Sequence, residues 1–82
     1  MATTKQDIRE WLAQAKQAGA THMLVVCDSF DYEDFPVYVS KEQDVKKVYE
    51  TNDNALMQKV MEVYNLSMDI ELQLKEHRAF NF

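Results

Sequence analysis

Four carboxylates, Asp28, Asp31, Glu33 and Asp34, fall within seven consecutive residues, and Phe30, Tyr32 and Phe35 are interleaved with them. Clustered carboxylates are what hard cations such as Ca²⁺ and Mg²⁺ take as ligands. The spacing departs from an EF-hand loop. No glycine stands where that loop must turn sharply, and the twelfth position from Asp28 is Val39. The plainer reading is a solvated turn built from turn-forming acids. Aromatic rings beside carboxylates also suit a basic or cationic partner, through cation–π contacts and charge complementarity. Asp28, Asp31, Tyr32, Glu33 and Asp34 are therefore the candidate partner-binding residues. Tyr32 stands nearest the tip of the connector, while Phe30 and Phe35 are expected to close the core where the chain turns.

A second group lies near the C-terminus. Lys75, His77 and Arg78 are the only local positive groups, and with Phe80 and Phe82 they form a candidate pocket for an anionic ligand such as a nucleotide. Their simpler role is to offset the dipole at a helix C-terminus. Cys27, His22 and His77 share no short motif. His22 and Cys27 are five apart, which on a strand puts them on opposite faces. Cys27 beside Asp28 is expected to have a raised thiol pKa, the reverse of activation, and to sit in the core. There is no nucleophile elbow, phosphate loop, zinc-protease helix or dinucleotide fingerprint. No catalytic residue, cofactor or metal is expected, and an enzyme would rest on Asp28, His22 and His77 alone.

These residues belong to a chain of 82, enough for one domain, with 46% apolar residues and a single Gly, Pro and Cys. One Cys excludes an internal disulfide and a multi-thiolate metal site. The net charge of −5 argues against a nucleic-acid binder, which needs a basic surface to displace counterions. No apolar run approaches the roughly 20 residues that span a bilayer. With no signal-peptide pattern at the start and a lone Cys in an apolar run, the expected setting is the cytoplasm.

The elements that must hold the candidate residues follow from periodicity. Ile8, Trp11, Leu12, Ala15 and Ala18 mark one face of a first helix, with Thr3 or Thr4 as cap, Gln6 or Asp7 closing a capping box, and Gly19 as the left-handed stop. Met23–Cys27 is an unbroken apolar run, so the strand at about 21–28 is central, covered on both sides. A second strand at about 35–40 contains Pro36 and belongs at an edge. Ser40 with Gln43 opens a short helix at about 41–51. Residues 57–65 read as a third strand, with a helix as the alternative. Ser67 is expected to cap a last helix over 67–78, whose residue types are helix formers although its apolar positions alternate. The fold is thus α+β, a single domain over 1–82 in the order α-β-β-α-β-α. Its three-stranded antiparallel sheet runs in the order 2-1-3, with the helices packed on one face.

Two features ask for more cover than that arrangement supplies. The central strand is apolar on both sides. The last helix would carry Ile70, Leu74 and His77 on one face and Met68, Leu72 and Ala79 on the other. A homodimer would meet both demands.

The stretch Thr21-His22-Met23-Leu24-Val25-Val26-Cys27-Asp28-Ser29-Phe30-Asp31-Tyr32-Glu33-Asp34-Phe35-Pro36-Val37-Tyr38-Val39 resembles a recurrent feature of small bacterial and phage proteins, as does the ending Glu76-His77-Arg78-Ala79-Phe80-Asn81-Phe82. No established activity accompanies that resemblance, so it carries over no site residues. It favours a bacterial or viral setting. The expected function is a small acidic cytosolic binding module, homodimeric, with a protein or small-molecule partner. The alternatives are a phage-type inhibitor or ligand-sequestering protein with a pocket near the C-terminal helix, and a small enzyme with its site at a dimer interface.

Overall fold

In the computed structural model, residues 3–30, 33–53, 57–76 and 79–82 are described. Helix α1 (Lys5–Gln17) starts at Thr4, whose side chain accepts from the Asp7 amide at 3.1 Å while Asp7 Oδ2 accepts from the Thr4 amide at 3.0 Å. This is the expected capping box. Gly19, at φ +77°, ends the helix in a conformation that costs other residues a Cβ clash. The chain then runs through β1 (Ala20–Asp28), β2 (Glu33–Ser40), α2 (Val45–Asp53), β3 (Gln58–Asn65) and α3 (Ile70–Lys75). The element order and the antiparallel sheet order β2-β1-β3 are as expected from the sequence, and residues 58–65 form a strand. Among the described residues no helix is long and apolar enough to cross a membrane.

The helices do not share one face. Met23 and Val25 of β1 point to a core built with Ile8, Leu12 and Ala15 of α1, Tyr64, Leu74 of α3 and Ala79. Leu24 and Val26 point the other way, to Val39, Val60 and Val63, against which Val45, Val48 and Tyr49 of α2 pack. All four consecutive residues Met23–Val26 are buried. The expectation that helices cover one face alone is corrected accordingly, and β1 finds cover on both sides within one chain.

Strand β3 contributes to both cores through a bulge. Leu24 faces Val63 and Val25 faces Glu62, but Val26 faces Val60, so Met61 is the extra residue. Without it, valines three apart would point to opposite faces; with it, both reach the α2 side. The Val60 amide donates to Asp53 Oδ1 at 3.1 Å, tying the end of α2 to this irregularity.

The helix starts also differ in detail. Asp44, not Ser40, holds the first turn of α2, accepting from the Lys46 amide at 3.0 Å. Gln43 instead reaches back to the Ser40 amide at the strand end, at 3.0 Å. Asp69 caps α3 in place of Ser67, accepting from the Leu72 amide at 3.2 Å. Helix α3 stops at Lys75, so Ala79 is free to turn into the α1 core rather than lie on an opposite helical face.

After α3 the chain passes the edge of β3. The Val63 amide donates to the Ala79 carbonyl at 2.7 Å, and the Asn81 amide donates to the Val63 carbonyl at 3.0 Å, a parallel bridge centred on Phe80. Phe80 and Phe82 meet Tyr49 of α2 edge-to-face, with ring centroids 6.4 and 5.2 Å away. The last residues therefore connect the two cores.

One buried amide fixes this arrangement. Gln73 on α3 is 1% exposed. Its Oε1 accepts from the Asn65 amide at 2.8 Å and from Asn81 Nδ2 at 3.2 Å; its Nε2 donates to the carbonyls of Asn65 at 2.9 Å and Asp69 at 3.1 Å. Both lone-pair sites and both hydrogens are used. By contrast, the Arg9–Glu71 pair at 2.9 Å joins α1 to α3 in the open, where ion pairs contribute little. Replacing Gln73 with Leu leaves two backbone groups of Asn65 unpaired and is expected to cost about 2–4 kcal/mol. Urea denaturation should show a lowered midpoint at constant slope, whereas Arg9→Ala should cost under about 1 kcal/mol.

Tyr64 is fully buried and its hydroxyl donates to Glu62 Oε2 at 2.7 Å. Burial first, and then this hydrogen bond and the nearby Glu62 and Glu76 charges, push the phenol above its ordinary range. An unfolded tyrosine ionises near pH 10 while the folded one keeps its proton, so the native state holds more protons above that pH. The contribution is whole below about pH 10 and declines as pH rises beyond it. Denaturation curves between about pH 9 and 11.5 should show this fall, and Tyr64→Phe should flatten it.

Candidate functional site

The β1–β2 hairpin end is built by register. Asp28 lies across from Glu33 on β2 and from Gln58 on β3, while Cys27 lies across from Asp34 and Lys59. Asp28 Oδ1 accepts from the Phe30 amide at 2.8 Å, an Asx turn that starts the connector. The Ser29 amide donates to the Met57 carbonyl at 2.8 Å, which brings the α2–β3 connection against the hairpin. Of the sequence-derived candidates, Asp28, Glu33 and Asp34 are gathered here; Asp31 and Tyr32 lie outside the described residues.

Two details were not read from the sequence. Phe30 is 73% exposed, so it does not close the core as expected; Phe35 does, packing against the α2-side cluster. Met57 is 45% exposed and adopts φ +65°, a left-handed conformation that costs a residue with a Cβ roughly 1–2 kcal/mol. Its carbonyl is thereby turned to the Ser29 amide. Asp28 and Glu33 are like charges on directly opposed positions, an unfavourable pairing within a sheet. The hairpin end thus combines an exposed ring, an exposed thioether and facing carboxylates.

Cys27 is half-buried at the edge of this region and belongs to neither core, a correction to its reading as a core thiol. Burial first, then the hydrogen bond and charge of Asp34 and the charge of Asp28, raise its pKa. The direction matches the expectation from sequence, with Asp34 as a further cause. His22 lies five positions back along β1, and burial lowers its pKa. Among the described residues no group of three His, Cys, Asp or Glu side chains is arranged to hold a metal ion.

The C-terminal candidates are not gathered into one place. Lys75 ends α3 on the α1 side of the sheet, whereas Phe80 and Phe82 pack on Tyr49 beside α2. His77 and Arg78 lie outside the described residues. The rings act as a side wall for α2. An open groove of about 470 Å³ lies on the other flank of α2, lined by Val37 of β2 and by Asp44, Lys47, Val48 and Thr51. Comparison with protein-family models, with curated proteins and with solved structures finds no match to this chain.

Proposed function

We propose that this chain is a small acidic interaction module that engages a basic protein segment through its hairpin end. The observation that carries the reading is Phe30, a large ring left 73% exposed in the connector that follows Asp28, whose opposite number on β2 is Glu33. Exposed aromatic side chains are the typical anchors of binding surfaces, and carboxylates around such an anchor select for Lys and Arg. The partner's positive charge would relieve the opposition of Asp28 and Glu33, which the fold alone leaves unfavourable. Met57 adds an adaptable apolar contact on the same end of the sheet.

The test is selection from a random peptide display library. Enriched peptides are expected to carry net positive charge and an apolar anchor, and to lose at least tenfold in affinity against Phe30→Ser and Glu33→Lys. Neither exposed substitution should move stability by more than about 0.5 kcal/mol. Binding should weaken as salt is raised. No enrichment, or enrichment indifferent to Phe30, would remove the reading.

Self-association is a second reading with a narrower basis than the sequence provided. The demand of β1 for a partner is met inside the chain. What remains is the outer side of α3, where Leu72 is 61% exposed and Met68 just before the helix is also open. A homodimer through this face should appear in sedimentation equilibrium and be abolished by Leu72→Glu. A monomer at millimolar concentration would exclude it.

A further inference from the structure

At the far end of the sheet from the hairpin, roughly 20 Å away along β1, a cleft of about 370 Å³ opens between the end of α1, the start of β1 and the turn after β3. Its polar lining is Lys16, Thr21, His22, Asn65 and Ser67. Among the described residues no carboxylate lines it, in a chain with 14 acidic residues against 9 basic.

Two donors of this lining, on Lys16 and Asn65, have no partner among the described residues. Asn65 Oδ1 accepts from the Ser67 amide at 2.9 Å and the Ser67 hydroxyl at 2.6 Å, which fixes the orientation of the Asn65 amide. Its Nδ2 is then a donor with no partner among the described residues. Lys16 forms no ion pair among those residues. The Thr21 hydroxyl donates to the Val39 carbonyl at 3.3 Å and accepts from His22 Nδ1 at 2.9 Å, so the His22 ring is held by β1 and β2. The carbonyls at the end of α1, which would repel a negative ligand, are partly occupied: Gln14 and Lys16 accept from the Ala18 and Gly19 amides at 3.0 and 3.1 Å. The Asn65 backbone is clamped by Gln73 on both its amide and its carbonyl, so the donor is held before any ligand arrives.

We infer that this cleft binds a small oxyanion, a phosphate monoester or a carboxylate, through the Lys16 ammonium and the Asn65 amide. Oxyanions are recognised by charge-assisted donors, and Lys16 and Asn65 supply an ammonium and an oriented amide N–H. The site is independent of the hairpin reading, shares no residue with it and is tested separately.

The experiment titrates inorganic phosphate, and in a second arm acetate, into the ¹⁵N-labelled full chain at pH 7, with ionic strength held constant by chloride. Saturable amide shifts confined to residues 16–22 and 65–67, with a midpoint in the millimolar range, are expected with phosphate. Saturation by phosphate alone assigns the site to phosphate monoesters; saturation by acetate as well assigns it to carboxylates too. Asn65→Asp keeps the oxygen that Ser67 uses and replaces the donor nitrogen with an anionic oxygen; it should abolish the shifts. Lys16→Met, on an exposed position, should weaken binding at least tenfold and decides the matter if Asn65→Asp does not fold. Shifts that never saturate, that chloride reproduces, or that survive Lys16→Met would overturn the inference.

Discussion

Four consecutive apolar residues in one strand, Met23–Val26, set the terms for everything else in this fold. Alternation sends two side chains to each face, so neither face can be left to water. The chain answers with α1 and α3 on one side and the short α2 on the other. Helix α2 buries no residue completely, and the rings of Phe80 and Phe82 supply the packing at its flank. The segment that carries those rings leaves α3 on the opposite face and passes the edge of β3 to reach them. From within α3, Gln73 holds the end of β3 at Asn65 and the passing segment at Asn81. A single polar side chain inside an apolar layer thus links the two halves of the core, which is stabilising only because all four of its hydrogen-bonding positions are used.

The parts of this architecture that could be read from the sequence are those governed by neighbours in the chain. The Thr4–Asp7 capping box, the Gly19 stop, the centrality of β1 and the edge position of Pro36-containing β2 all depend on residues a few positions apart. What escaped depends on distant partners. Coverage of both faces by one chain could not be seen in β1 itself, and so its apolar run read as a demand for a second subunit. Gln73 gave no signal in the sequence, because the groups that satisfy it, the Asn65 backbone and Asn81, are contributed by segments eight positions before and after it. Residues 57–65 read ambiguously because the bulge at Met61 places Val60, Val63 and Tyr64 at helical intervals within a strand.

The candidate site was legible in the same uneven way. The density of acids in the connector was visible, and Asp28, Glu33 and Asp34 do stand together. That Asp28 and Glu33 face one another follows from register, which the sequence leaves open. Phe30 was misassigned because a ring next to a strand end is normally a packing residue; here the Asx turn at Asp28 directs it outward instead. Met57 gave no signal at all, since a left-handed backbone is expected of Gly or Asn rather than of an unbranched apolar residue. The proposed surfaces therefore sit at two ends of one strand with opposite chemistry, acidic and apolar at the hairpin, donor-rich at the cleft.

The extra residue in β3 has a bearing on how such a chain can drift in evolution. Exchanges of one aliphatic group for another along β3 leave its phase intact. Loss of the supernumerary residue, or gain of another beside it, would rotate the outer half of the strand by half a turn and present Val60 to the wrong layer. Relatives should accordingly vary in the identity of these side chains far more freely than in their number, and length rather than composition is the quantity that lineage must conserve between Gln58 and Asn65.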